Sequence, residues 1–295
     1  MSAHAASPSP KHLVTAWYTG DSSHYLRSTI DALPAKPRVV NYYTPWDHLN
    51  KGAAFNRSFV HAAHQDGVTT FIELDPWDYT QHPPAQDWLV NIAKGSTDAQ
   101  LREFGRQVAA LNDPVWITFA HEMNYGSWYP WNLHGSEGAS PATWIAAWNR
   151  VTNQVRAGAG ARKSLIQWVW AGNEVPAPKL TTLRAYLTGA QNVNIIAMDA
   201  YLCIDKTDGT CAMTYASWFG PVTQELRRLS TRLPIFITET GIGGVHGQRG
   251  PQIAALLRAV RSDPANVAGL LWFNASKYIM SPAEESTWAD VLSNG

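Results

Sequence analysis

Val115-Trp116-Ile117-Thr118-Phe119-Ala120 runs directly into His121-Glu122, and its reading decides the fold. The run is short, nearly all apolar and rich in β-branched and aromatic side chains. That is the pattern of a strand buried on both faces in a parallel sheet. Seven comparable runs lie around it: Leu13–Tyr18, Arg38–Tyr43, Thr69–Leu74, Ser164–Trp170, Val193–Ala200, Ile235–Thr238 and Ala268–Trp272. Helical patterns separate many of them. Phe55–His64 stops before Gly67, Thr97–Leu111 opens on Ser96-Thr97-Asp98, and Pro141–Arg156 follows a Ser140 cap. Tyr215–Leu229, Pro251–Arg261 and Pro282–Leu292 follow later strands. Eight strands alternating with helices predict a single-domain (β/α)8 TIM barrel over 13–295, with 1–12 as a linker tail or processing remnant. The competing fold is an open doubly wound sheet, which calls for a Gly-rich fingerprint after the first strand; Tyr18-Thr19-Gly20-Asp21 is not one.

Composition excludes several functions. Lys+Arg and Asp+Glu both number 23, so there is no net charge to draw the chain to nucleic acid or an anionic membrane. No apolar stretch is long enough to span a bilayer. Trp is abundant at 14 residues, which fits either core filling or platforms on which sugar rings stack. Cys203 and Cys211 flank a polar turn, Asp205-Lys206-Thr207-Asp208-Gly209. A disulfide closing that loop stabilises by about 2.5 kcal/mol in the chain-entropy model. The expected bridge, with Ala3-His4-Ala5 as a cleavage-like pattern, points to a secreted protein.

In a (β/α)8 barrel the chemistry sits at the C-terminal ends of the strands. Those positions hold Trp17-Tyr18, Tyr42-Tyr43 with Trp46, Asp75 with Trp77, His121-Glu122, Trp170 with Glu174, Asp199-Tyr201, Glu239 and Trp272. Acids and aromatics gather at one rim, which favours the sugar-platform reading. Glu122 ends strand four and Glu239 ends strand seven, so the two carboxyls can reach over the mouth from different sides. A pair of that kind serves a glycosidase, one as acid and base and the other as nucleophile. Asp75, Glu174 and Asp199 are the competing acids. A zinc-protease reading of His121-Glu122 fails because Tyr125 stands where the second His is required, and no G-x-S-x-G elbow is present. No metal or cofactor is expected.

These segments resemble glycoside hydrolase family 26, a family of retaining (β/α)8 enzymes acting on β-mannans, mixed-linkage β-glucans and β-1,3-xylans. His121-Glu122-Met123-Asn124 with Trp128-Tyr129-Pro130-Trp131 is similar to its acid/base motif, and Ile237-Thr238-Glu239-Thr240-Gly241 to its nucleophile motif. Met198-Asp199-Ala200-Tyr201 resembles its strand-six motif, and Leu271-Trp272-Phe273-Asn274 its strand-eight end. The resemblance implies that Glu122 is the acid/base and Glu239 the nucleophile. It implies that Tyr201 contacts Glu239, that His121 meets the sugar or the acid/base machinery, and that Trp272 floors the cleavage subsite. Trp128 is expected beside Trp272, with Trp17, Tyr43, Trp46 and Trp77 as outer-subsite contacts. One departure stands out: Thr118 occupies the position where the family commonly has an Arg that helps to hold the nucleophile. The expected partner is a poly- or oligosaccharide, met by a monomer. The alternatives are a non-catalytic glycan-binding protein on the same fold, or a clan relative acting on another glycan, by hydrolysis or transglycosylation.

Overall fold

The computed structural model describes residues 13–20, 23–45, 55–77, 88–125, 129–132, 140–176, 179–204 and 212–294. Eight strands lie parallel to their neighbours and close into a barrel in chain order. They are β1 (Val14–Tyr18), β2 (Val39–Pro45), β3 (Thr69–Asp75), β4 (Val115–Phe119), β5 (Ile166–Asn173), β6 (Val193–Leu202), β7 (Ile235–Ile242) and β8 (Val267–Trp272). Among the described residues nine α-helices accompany them: α1 (Ser23–Ala32), α2 (Arg57–Gln65), α3 (Trp88–Ala93), α4 (Asp98–Leu111), α5 (Pro141–Ala159), α6 (Thr181–Leu187), α7 (Tyr215–Leu229), α8 (Gly250–Ser262) and α9 (Pro282–Asn294). The tail 1–12 lies outside the described residues, and no described helix is long and apolar enough to cross a membrane.

Three helices, α1, α3 and α6, had no counterpart in the sequence reading. They run 10, 6 and 7 residues, so few turns are available to display a helical period. Helix starts divide by chemistry. Ser140 Oγ accepts from the Thr143 N–H at 3.1 Å, with Pro141 in the first turn. Thr97 makes no side-chain cap, whereas Asp98 pairs with Arg150 of α5.

Strand side chains sort into two cores. Ala16, Val39, Phe71, Val169, Ala171, Phe236 and Leu271 fill the barrel interior. Their neighbours in sequence, among them Trp17, Val40, Ile72, Trp170 and Trp272, point out to the helix layer. This is the period-two alternation of a strand.

The helix layer is tightest between α4 and α5. A Cβ on Gly158 would fall 2.0 Å from the Arg102 carbonyl oxygen, and one on Gly105 2.0 Å from that of Val155. Gly→Ala inside a helix gains about 1 kcal/mol in propensity. A methyl driven into backbone costs about 1–3 kcal/mol or more. Gly158→Ala is therefore expected to destabilise by about 1–2 kcal/mol in urea unfolding. An unchanged midpoint would mean that the helices separate freely.

Candidate active site

Two irregularities in the barrel place the two glutamates. The first follows β4. Ala120 and Glu122 take positive φ, 49° and 51°, a region costly for residues with a Cβ. Three hydrogen bonds hold the backbone there. Trp144 Nε1 donates to the Ala120 carbonyl (3.1 Å), Trp131 Nε1 to that of His121 (2.7 Å), and the Glu122 N–H to that of Ala171 on β5 (2.9 Å). Asn124 then clamps the end of β5, donating to the Asn173 carbonyl (2.9 Å) and accepting from its N–H (2.8 Å).

The second irregularity lies inside β7, which runs past Glu239 to Ile242 rather than ending at Thr238. Met198 pairs with Ile237 but Asp199 pairs with Glu239, so Thr238 is the extra residue of a bulge. Consecutive side chains of an unbroken strand face opposite ways. Here Thr238 donates to Asp199 (2.7 Å) while Glu239 faces Tyr43 and Tyr201. The Tyr201 hydroxyl donates to Glu239 Oε2 at 2.5 Å, and the Tyr43 hydroxyl donates to Oε1. Burial, followed by the charge of Glu239, raises both phenols well above their ordinary pKa, so they remain donors. Tyr43 is therefore a direct partner of Glu239 rather than an outer-subsite contact. Thr118 is buried and registers with Glu73 across β3 and β4.

The mouth is crowded with acids. Burial, and then the charge of Glu239, pushes Glu122 up to about 7; His121 and an Asn173 hydrogen bond pull the other way. Burial and Glu122 push Glu174 up to about 8. Glu73 and Asp199 are also raised, first by burial and next by Glu239. His121 is 1% exposed, with Nδ1 3.2 Å from Asp75 and Nε2 3.2 Å from the Tyr129 hydroxyl, so both nitrogens turn toward protein. Glu73, His121 and Glu239 each offer a ligand atom within 4.8 Å of the others, the one described trio that could grip a metal ion. An ion there would compete with the tyrosines for Glu239.

Above this floor opens a cleft of about 400 Å³, lined by Glu122, Glu174 and Glu239 together with Tyr125, Tyr129, Asn173, Tyr201, Ile204, Phe273 and Tyr278. Its described aromatic walls are Tyr and Phe. Tyr18 stacks on Phe273 at 5.1 Å and Tyr201 on Tyr278 at 4.8 Å. The tryptophan expectation needs correction here. Trp272 and Trp17 are 0% and 2% exposed, and both pack edge-on against Trp288 of α9 in the outer layer. The reason is parity: Ala16 and Leu271 face the axis, so Trp17 and Trp272 cannot, and Tyr18 and Phe273 can. Trp77 packs on the outer core and is not among the cleft-lining residues. Trp131, Trp144, Trp148, Trp168 and Trp170 are also fully buried, so the Trp excess serves mainly the core. Trp46, Trp128 and Cys211 lie outside the described residues. Cys203 is buried just beyond β6.

Glu174 and Asp199 were weighed from sequence as competing acids. Tyr18 was read at the rim beside Trp17, whereas Phe273, Tyr278 and Glu73 were not assigned to the site. For Phe273 and Glu73 the missed signal was strand parity; Tyr278 sits in a 3-10 turn, Ser276–Tyr278, that carries none. Two substitutions separate wall from core. Phe273→Ala is expected to raise KM for a glycan while leaving Tm nearly unchanged. Trp272→Ala is expected to cost about 3–5 kcal/mol of stability through its cavity. Equal Tm losses in the two variants would show that Phe273 is core as well.

No family model matches the chain, and no curated protein matches it. Solved structures do. The catalytic domain of a Bacillus sp. JAMB-750 GH26 endo-β-1,4-mannanase superposes with TM-score 0.74 at 15% identity, over 96% of this chain and 86% of that one. A modular endo-β-1,4-mannanase from Cellulomonas fimi gives 0.70 at 13% identity, over 96% and 71%. The Ignisphaera aggregans GH53 catalytic domain gives 0.59 at 12% identity, over 91% and 86%. The chain has a GH26-like (β/α)8 fold.

Proposed function

We propose that the protein is a retaining β-glycoside hydrolase acting on a β-linked polysaccharide, β-mannan or β-glucan first, with Glu239 as nucleophile and Glu122 as acid and base. The observation that carries this is the contrast between two carboxyls lining one cleft. Glu239 accepts hydrogen bonds from two tyrosines, whereas burial and the charge of Glu239 push Glu122 up to about 7. A Glu239 oxygen attacks the anomeric carbon, the glycosidic C–O bond breaks, and the Glu122 proton goes to the leaving oxygen. The glycosyl ester removes the charge that kept Glu122 protonated. Glu122 then takes a proton from water, whose oxygen displaces Glu239. Neighbours described as mannanases put mannan at the head of the candidates.

The reading extends to a secreted monomer closed by a Cys203–Cys211 bridge, which alkylation of the unreduced protein checks. The deciding experiment offers β-mannans, β-glucans and β-xylans and follows fresh product by NMR. Hydrolysis with retained anomeric configuration is expected. Inverted product would overturn the mechanism. Binding without turnover would make this a glycan-binding protein, and new glycosidic bonds a transglycosidase.

A further inference from the structure

The carboxyls of the mouth come from five strands or their ends, and their compensation is scarce. Glu73 and Asp75 stand on β3, Glu122 after β4, Glu174 after β5, Asp199 on β6 and Glu239 on β7. No Lys or Arg lines the cleft, and among the described residues none forms an ion pair with Glu73, Asp199, Glu122 or Glu239. The cation-forming group among them is His121. Its Nε2 lies 4.0 Å from Glu239 Oε1, and its Nδ1 lies 3.2 Å from Asp75 Oδ1 and 3.9 Å from Glu73 Oε2. Glu73 is fixed from the other side, its Oε1 accepting from Asn41 Nδ2 at 2.6 Å. Its Oε2 is buried with no hydrogen-bond partner, which leaves the imidazole as its nearest charge complement.

We propose that His121 is the standing counter-cation of Glu239, and that Glu73 and Asp75 are positioning residues that keep the imidazolium beneath the nucleophile. This rests on the reading of Glu239 as nucleophile. The resemblance implied that His121 meets the sugar or the acid/base machinery, but its ring is walled off and 1% exposed. Tyr129 covers one edge with ring centroids 5.0 Å apart, Trp131 another at 5.8 Å, and Tyr43 stands at 6.1 Å. Three groups facing it carry or can carry negative charge at close range: Glu73, Asp75 and Glu239. Glu122 and Asp199 are further acids of the same mouth, and the phenols of Tyr43 and Tyr129 stay neutral. Burial alone disfavours charge on His121, but Asp75, then Glu73 and Glu239, outweigh it, so its pKa is held well above the usual range. The charge is present at neutral pH and is lost only as pH rises through that elevated value. An imidazolium 4.0 Å from Glu239 Oε1 sets one positive charge beside the nucleophile in a mouth that holds five other acids. Its Nε2 is hydrogen-bonded to the Tyr129 hydroxyl and its Nδ1 lies 3.2 Å from Asp75 Oδ1, so the ring is held from both sides.

The test uses the full chain with 15N-labelled histidine, His121 being assigned from the spectrum of His121→Gln. In the wild type both ring nitrogens of His121 are expected to stay protonated to at least tenfold lower proton concentration than an ordinary histidine, whose pKa is about 6.5. Asp75→Asn is expected to lower that midpoint by about one unit or more, a tenfold loss of proton affinity. Glu73→Gln should lower it less, and Asp75→Glu should restore it. A wild-type His121 that titrates in the ordinary range overturns the proposal without any variant needing to fold. So does a midpoint indifferent to Asp75→Asn in a variant with native near-UV dichroism. The readout needs no substrate: a protein that hydrolyses no glycan defeats the glycosidase reading and leaves this measurement intact, and a neutral His121 in an active glycosidase does the reverse.

Discussion

Glu239→Ala is expected to abolish turnover of every glycan substrate, activated aryl glycosides included. No covalent intermediate can form on Glu239 without its carboxylate. Tyr43 and Tyr201 donate to Glu239 and would be left facing a space the size of a small anion. Azide or formate supplied in the buffer should occupy that space and attack the anomeric carbon, restoring part of the turnover with inverted product. Rescue with retained product, or full activity without rescue, would move the nucleophile elsewhere. Asp75, Glu174 and Asp199 are then the carboxyls to replace. A chelator in the same assay is expected to leave wild-type turnover unchanged; loss of activity would assign the Glu73–His121–Glu239 trio to a metal.

Glu122→Ala should fail differently. With a poor leaving group the first step loses its proton donor, a cost of roughly 10²–10⁴ in rate. With a good leaving group no proton is needed, so the enzyme is glycosylated in a burst and then stalls for lack of a base. Azide should release it as the β-glycosyl azide. The pH profile gives a second measure. Glu122 is raised to about 7 by burial and by the charge of Glu239, and the first step needs its protonated form. Wild-type kcat/KM should therefore fall as pH rises through about 7, and that alkaline limb should vanish for activated substrates in Glu122→Ala. Limbs at the same pH in both proteins would assign the titration to another group. Glu174, raised to about 8 and in the same cleft, is the first to examine. The limb is an apparent value of the interacting carboxyls rather than of Glu122 alone.

The barrel was legible in the chain because a strand buried on both faces leaves a local trace. A run such as Val115–Ala120 needs no knowledge of its partners to be seen as a strand, and eight such runs alternating with helical patterns leave little topological choice. Which strand ends carry acids could be read in the same way. Two further things are carried by the alternation of side chains. Once Val39, Phe71 and Leu271 are known to face the axis, Asn41, Tyr43, Glu73, Asp75 and Phe273 must face it too, and Trp272 must not. That assignment was available in principle. The choice of face is a property of the closed sheet, however, because a run apolar on both sides gives no local sign of which side is the interior.

Tertiary structure alone decided where the two glutamates point. Glu239 follows Thr238 in a strand, and only a register slip against β6 lets both contribute to one network. Such a slip depends on pairing between segments far apart in sequence. Glu122 is aimed by two positive-φ residues held by indoles from Trp131 and Trp144, a strained path that no local preference of Ala120 or Glu122 would select. The short helices and the turn carrying Tyr278 form because they dock, since so few residues cannot stabilise a helix alone. The residue types of the chemistry are thus written along the chain, whereas their convergence on one cleft is a product of closure and packing.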